Sequence, residues 1–150
     1  MKAIASLIYF FSLVTIYATY LNNESSELQY ILYNDMATAD YKESSTSRFD
    51  IANFDFPNIT QSALPMKGII ARYYFYGGDF EKAFDLLHSS KKSNPYIMFN
   101  QSLIGEIHNY LGVQDSALYY NEIAFTGLPH NGKHFIELSK SYVQKNDFKS

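Results

Sequence analysis

The sequence contains no cysteine and no tryptophan, and only 18% of its 150 residues are charged. Without cysteine, the chain has no disulfide, no thiolate metal ligand and no cysteine nucleophile. Its 12 basic residues are outnumbered by 15 acidic residues, so the net charge of −3 offers no positive field to a nucleic acid backbone. The hydrophobic share of 47% also excludes an intrinsically disordered chain.

Sequence motifs for catalysis are missing as well. There is no G-x-S-x-G, no H-E-x-x-H, no phosphate-binding loop and no dinucleotide fingerprint. His130 and His134 have the spacing of two metal ligands on one helix face, but the turn signal Asn131-Gly132 separates them and no third ligand is adjacent. We therefore predict a protein that is not an enzyme and that needs no metal and no cofactor.

A long apolar run follows the first two residues. Residues 3–21 carry no charge and, as a helix, are about 28 Å long, which is close to the thickness of the hydrocarbon core of a bilayer. We expect a transmembrane anchor, because the run is long and no A-x-A pattern follows it; secretion after signal cleavage is the alternative. Lys2 before the run, with Glu24 and Glu27 after it, predicts a cytoplasmic N-terminus and an exported remainder.

The exported remainder contains 11 basic and 15 acidic residues once Lys2 is set aside, for a net charge of −4. This average predicts no affinity for anionic lipid. The expected contact with the membrane is therefore residues 3–21 alone.

The rest of the chain repeats with a period of 34 residues. Three pairs share this offset, namely Gly78 and Gly112, Ala83 and Ala117, and Pro95 and Pro129. The same offset relates a large apolar residue, a small residue and a ring in each copy: Ile70, Ile104 and Leu138; Ala71, Gly105 and Ser139; Tyr74, His108 and Tyr142. Small residues allow two helices to approach closely, while glycine and proline end them, so the pattern predicts antiparallel helix pairs.

At these residues, and at Gly78-Asp79-Phe80-Glu81-Lys82-Ala83, the sequence resembles a tetratricopeptide repeat array over Leu64 to Ser150. The resemblance implies an all-α fold, in which a superhelix of antiparallel helix pairs follows the N-terminal transmembrane helix, and a role in binding proteins. Helices are expected near residues 66–76, 80–92, 97–110, 115–126 and 133–145. The expected regions are 1–21 (anchor or signal peptide), 22–65 (helical linker or degenerate capping repeat) and 66–150 (repeats, the third incomplete).

The linker has two helical patterns, in residues 24–41 and 48–54. The membrane helix is expected either to continue outward or to restart after Asn22-Asn23.

On the geometry of the family, the first helix of each pair lines a concave groove that holds an extended peptide. The residues expected there are Arg72, Tyr76, Glu106, Asn109, Tyr110 and Lys140, together with Gly68, Phe75, Ser102, Ile136 and Val143. The alternative is that some of these rings only fill space between repeats. The predicted partner is thus a protein or peptide.

A narrower resemblance links the chain to repeat-bearing tails of bacterial envelope proteins related to O-antigen ligases. It is carried by Phe56-Pro57-Asn58-Ile59-Thr60, Asn94-Pro95-Tyr96, Asp115 to Tyr120 and Gly127-Leu128-Pro129. It implies, as the alternative function, an accessory or detached part of a surface-polysaccharide enzyme whose catalytic region is absent from these residues.

The period also makes a prediction about the last residues. Asn146-Asp147-Phe148 falls 34 residues after Gly112, and we expect the same turn there with asparagine in the left-handed conformation. A last helix that lacks its partner helix would leave an apolar flank, including Leu138 and Tyr142, open to water.

Overall fold

The chain folds into helices joined by short turns, as seen in a computed structural model that describes residues 2–41, 58–60 and 62–147. The α-helices of the described residues are α1 (Lys2–Thr38), α2 (Met66–Tyr76), α3 (Phe80–Ser89), α4 (Phe99–Tyr110), α5 (Gln114–Gly127) and α6 (Gly132–Asp147). A short 3₁₀ turn, Pro95–Ile97, precedes α4. The described residues contain no β-strand, and their one isolated bridge joins Ile59 and Pro65. The all-α prediction is confirmed.

The helix positions follow the 34-residue period closely. Helix α2 has the predicted bounds, and α4, α5 and α6 differ from them by one or two residues. Helix α3 ends at Ser89 and not near 92; its C-cap is Ser90, whose hydroxyl donates to the carbonyl of Leu86 at 2.8 Å. Gly78 and Gly112 have φ of +87° and +72°, so both turns use the left-handed region that glycine favours.

Helix α1 has 37 residues and is continuous, so the apolar segment extends outward without a break. Its first half is exposed and is long and apolar enough to span a membrane. Its second half buries a stripe at helical spacing, formed by Ser25, Leu28, Leu32 and Asp35. One helix therefore has an exposed apolar half and a half that packs on the array, and the first buried residue, Ser25, comes four residues after Leu21.

Helix α1 runs parallel to α2. The hydroxyl of Ser25 lies 4.0 Å from the sulfur of Met66, the first residue of α2. At the other end, the ring of Tyr41 packs edge-on against Tyr73 at 5.3 Å between centroids and also reaches Tyr76. The second half of α1 thus lies where a preceding repeat would place its first helix.

Equivalent contacts recur between successive copies. The guanidinium of Arg72 lies 4.7 Å from the ring centre of Phe99, and 34 residues later Lys133 lies 2.7 Å from the carboxylate of Glu106. The side chain of Asn100 bonds the end of α3, donating to the carbonyl of Leu87 at 3.2 Å. These contacts place α2, α4 and α6 side by side in the same direction.

Two further predictions from the sequence are not confirmed. Residues 48–54 lie outside the described residues, so the short helix expected there stays a prediction. The turn predicted at Asn146 is wrong, because α6 continues through Asp147. Asparagine carries a Cβ that makes the left-handed conformation less favourable than it is for glycine, and the helical conformation prevails at this position.

Candidate partner-binding cleft

A cleft of about 330 Å³ opens between the C-terminal halves of α2, α4 and α6. It is lined by Phe75, Tyr76, Glu106, Asn109, Tyr110, Glu137, Lys140 and Gln144. Five of the six principal groove residues predicted from the sequence lie in this lining; the exception is Arg72. Sequence reasoning missed Glu137 and Gln144, which the period places at apolar or aromatic positions of the earlier copies.

The two tyrosines of the cleft present exposed rings. Tyr110 is 71% exposed and Tyr76 is 43% exposed. The Phe75 ring packs on both, at 5.0 Å from Tyr76 and 5.7 Å from Tyr110, and Phe80 packs on Phe75 and Tyr110. This aromatic surface suits an apolar or aromatic side chain of a partner, since rings supply large contact areas at small entropic cost.

The charged groups of the cleft are paired. Lys140 donates to the carboxylate of Glu137 at 2.8 Å, and Glu106 receives Lys133 at 2.7 Å. The hydrogen bond from Lys140 to Glu137 raises the pKa of the lysine. Burial and, next, the negative charge of Glu106 raise the pKa of Tyr76. Its hydroxyl can donate a hydrogen bond. The cleft thus offers polar groups of both signs around an aromatic floor.

Arg72 does not line the cleft, although the sequence analysis placed it there. Its guanidinium stacks on Phe99 between α2 and α4, and the side chain is half-buried. Arg72 therefore joins two repeats and is a structural residue. The same correction applies to Gly68 and Ser102, which are buried; a Cβ on Gly68 would meet Phe99 and Asn100.

Asn109 lines the cleft but is engaged in the interior. It is 8% exposed, donates to the carbonyl of Glu137 at 3.3 Å and accepts the hydroxyl of Ser141 at 2.9 Å. Asn121, which is fully buried, donates to the same Ser141 hydroxyl at 2.9 Å and approaches the carbonyl of Glu137 at 3.4 Å. We call Asn109, Asn121, Glu137 and Ser141 the polar network. It attaches α6 to α4 and α5, and so positions the Lys140 wall of the cleft.

Asn121 also closes the α4–α5 hairpin. A Cβ built on Gly105 would clash with the side-chain oxygen of Asn121. Glycine is therefore required at the closest approach of the two helices, whereas Ala71 suffices in the preceding copy. The sequence analysis noted small residues here but did not foresee that a buried amide faces them.

Two of the four histidines, His108 and His134, pack inside the array. His134 is 3% exposed, and burial, as the largest cause, lowers its pKa, while the nearby backbone of Leu128 and Ala124 at the end of α5 acts in the opposite direction. His108 lies between the rings of Phe84 and Tyr120, and burial lowers its pKa too. Among the described residues no group of three His, Cys, Asp or Glu side chains is arranged to hold a metal.

One face of α6 is uncovered. Phe135, Ile136 and Val143 are 53–59% exposed. Of the flank predicted from the sequence, Tyr142 is 46% exposed, with its hydroxyl donating to Glu122 at 2.7 Å, whereas Leu138 is half-buried. Ile136 and Val143 nonetheless belong to the residues expected on the concave side.

Comparisons of the chain with protein-family models, with curated proteins and with solved structures found no match.

Proposed function

We propose that the chain is a membrane-tethered protein-interaction module of the tetratricopeptide kind. It captures an extended peptide segment of a protein partner outside the cytoplasm. The observation that carries the proposal is the cleft between α2, α4 and α6, where two exposed tyrosines adjoin paired charges. Chemistry is assigned to no residue of the chain.

The cleft favours a segment with one aromatic or aliphatic side chain flanked by polar backbone. The rings of Phe75, Tyr76 and Tyr110 provide an apolar contact, and the tyrosine hydroxyls provide hydrogen bonds. Lys140 is largely exposed and pairs with Glu137. It can turn toward a carboxylate of the partner, because an ion pair at the surface contributes little free energy.

Site-specific photocrosslinking in the native membrane tests the proposal. A photoreactive phenylalanine analogue replaces Tyr110 in the cleft or, as the matched control, Tyr119 on α5, which is 59% exposed and lies outside the cleft lining. We expect one discrete adduct from position 110 and none from position 119, and loss of that adduct in Tyr76→Ala. Equal labelling at both positions would contradict capture in the cleft.

The identity of the adduct separates the two functions that the sequence suggested. A partner protein other than a glycan ligase or polymerase supports the interaction module. A polytopic glycan ligase or polymerase supports the alternative, in which the chain is an accessory part of an envelope enzyme.

Protease treatment tests the anchor separately. Protease added to intact spheroplasts should digest the array and leave a small membrane-bound stub. Full protection of the array, or release of the whole protein by carbonate, would contradict the anchor and its orientation.

A further inference from the structure

The two ends of the helical array carry opposite charge. We define the proximal surface as residues 58–60, 62–67 and 88–98, the loops at the start of α2 and the end of α3. We define the distal surface as residues 39–41, 77–82 and 111–116. The proximal surface contains three lysines and no acidic residue, whereas the distal surface contains four acidic residues and one lysine. Their formal charges are +3 and −3.

The residues behind these charges are few. They are Lys67, Lys91 and Lys92 on the proximal surface, and Asp40, Asp79, Glu81, Asp115 and Lys82 on the distal surface. The net charge of −4 beyond the apolar segment therefore averages over two unlike ends.

The proximal surface is the end of the array that lies nearest the apolar run of α1. Ser25 lies opposite Met66, and a helical rise of 1.5 Å per residue places Ser25 about 6 Å beyond Leu21, the last residue of the apolar run. The loop after α3 is tied to the same end, because Asn94 donates its amide to the carbonyl of Ala63 at 2.6 Å. Since α1 is one continuous helix, these contacts fix which end of the array lies nearest the bilayer.

The exposed side chains of this loop suit a lipid surface. Lys91 and Lys92 are exposed, and Tyr96 is 81% exposed on the 3₁₀ turn. Lysine ammonium groups attract anionic headgroups, and tyrosine rings are enriched at the depth where headgroup meets hydrocarbon. Tyr17 and Tyr20 of α1 are exposed near the same depth.

Among the residues that the structure describes, the acidic groups of α1 near this end are Glu24 and Glu27. Both are exposed and lie outside the buried stripe that includes Ser25 and Leu28. They leave the proximal end with a formal charge of +1, against −3 at the distal end. The positive groups are concentrated in the loop after α3, where Lys91 and Lys92 are adjacent.

We propose that the proximal surface rests on the anionic headgroups of the membrane that holds α1, with Lys91, Lys92 and Tyr96 in contact. The inference rests on the proposed anchoring by α1. Its consequence is an upright array, because Tyr76, Tyr110 and Gln144 lie at the C-terminal ends of their helices. The cleft then opens away from the bilayer, toward a partner.

Tryptophan fluorescence in vesicles tests the proposal on the full chain, which has no tryptophan of its own. Tyr96→Trp reports on the proximal surface, and Val113→Trp, at a residue 45% exposed in the distal turn, is the matched control. Vesicles contain either one part phosphatidylglycerol to three parts phosphatidylcholine or phosphatidylcholine alone. The quencher is a lipid with a nitroxide on its headgroup.

We expect the fluorescence of Tyr96→Trp to be quenched strongly in the anionic vesicles and that of Val113→Trp to be nearly unquenched. A lysine near an anionic surface changes the contact equilibrium by about 5-fold, so adding K91Q/K92Q to Tyr96→Trp should lower it about 30-fold and reduce the quenching toward that of the control. Equal quenching at positions 96 and 113 would overturn the proposal. Quenching at position 96 that K91Q/K92Q and the loss of phosphatidylglycerol leave unchanged would overturn it too.

A third probe separates this outcome from failure of the anchor. Leu13→Trp, at an exposed residue in the middle of the apolar run, should be quenched by bromine on the acyl chains in both kinds of vesicle. If the probe at position 13 is quenched and the probe at position 96 is not, the surface contact is wrong and the anchor stands. If the probe at position 13 is not quenched, the anchor itself is wrong.

Discussion

Helices α2 and α6 occupy equivalent places in the repeat, yet they are held by different chemistry. At three matched positions α2 buries Met66, Ile69 and Tyr73, and α6 buries His134, Glu137 and Ser141. The hydrophobic core cluster draws its buried residues from α1 to α4, and no described residue of α6 belongs to it. The same backbone arrangement thus holds apolar side chains around α2 and hydrogen-bonded polar side chains around α6.

This difference between apolar and polar burial indicates how firmly each part of the array is held. Apolar burial depends little on direction, so the α1–α4 part forms a stable base. A buried polar network requires every partner in place, and loss of one leaves the others unsatisfied. Helix α6 is therefore attached specifically but less strongly, and it supplies the Glu137, Lys140 and Gln144 wall of the cleft.

The largest expected effect comes from breaking the apolar base. Leu103→Ala removes a fully buried side chain from the core cluster and should lower the free energy of unfolding by about 2–5 kcal/mol. The loss should appear in chemical denaturation of the full chain and should affect α2 and α4 together. A loss below about 1 kcal/mol, far under the range for such truncations, would place Leu103 outside a shared core.

The next largest loss of stability is predicted to be similar in the α2–α3 and α4–α5 hairpins. The difference between α2 and α6 would then lie in the contacts between repeats and not within the hairpins. Ala83 and Ala117 are fully buried and lie at the start of α3 and of α5. Leucine at either position overpacks the hairpin and should cost about 1–3 kcal/mol in thermal melts. If neither variant lost stability, the repeat register would be wrong.

Removing one hydroxyl tests the polar network itself. Ser141→Ala leaves the buried amides of Asn109 and Asn121 without that partner and should cost about 1–3 kcal/mol, expressed mainly as loosening of α6. Ser139→Ala is the control, because its hydroxyl donates to the carbonyl of Phe135 in its own helix and, among the described residues, makes no bond to the polar network. Equal effects of the two substitutions on stability would show that the network does not attach α6.

Acid should weaken the α6 end. Burial lowers the folded-state pKa of His134, so below about pH 6.5 the unfolded chain binds a proton that the folded chain does not. The contribution of neutral His134 to the free energy of unfolding is complete above about pH 6.5 and is lost as the pH falls toward the pKa of His134 in the folded chain. Melts at pH values from neutral to mildly acidic should show this loss of stability, with a smaller dependence on pH in His134→Gln.

The smallest losses of stability are expected at a contact that occurs at equivalent positions between successive repeats. It is a cation–π contact between Arg72 and Phe99 in one place and an ion pair between Glu106 and Lys133 in the other. Arg72→Ala removes a half-buried cation from Phe99 and should cost about 0.5–2 kcal/mol, with weak dependence on salt. Lys133→Ala breaks the ion pair with Glu106 and should cost about 0.2–1 kcal/mol, much of it lost in high salt. A salt-sensitive Arg72→Ala would contradict the stacking geometry.

Much of this fold follows from the spacing of a few residues. Gly78 and Gly112 end their helices in the left-handed conformation that few other residues adopt easily, and the helix bounds follow from them. Asn146 was expected to do the same and does not, because asparagine only tolerates that conformation. The cleft followed from the repeat, since Tyr76 and Tyr110 occupy one repeat position.

The polar network and the two charged ends were not predictable in the same way. Asn121 departs from the apolar residue of the earlier copy, and its role depends on Ser141, 20 residues away, and on the space left by Gly105. The charge of Lys91 and Lys92 was hidden in the net value until the parallel packing of α1 and α2 showed which end of the array lies nearest the apolar run. Both features are made by tertiary contacts.

Amide hydrogen exchange on the full chain in lipid vesicles tests most directly whether α6 is held differently from the base. We expect the amides of residues 137–145 to exchange faster than those of residues 103–110, and Ser141→Ala to widen the gap while leaving residues 66–76 unchanged. Equal protection of α4 and α6, or a uniform loss of protection in Ser141→Ala, would contradict the account.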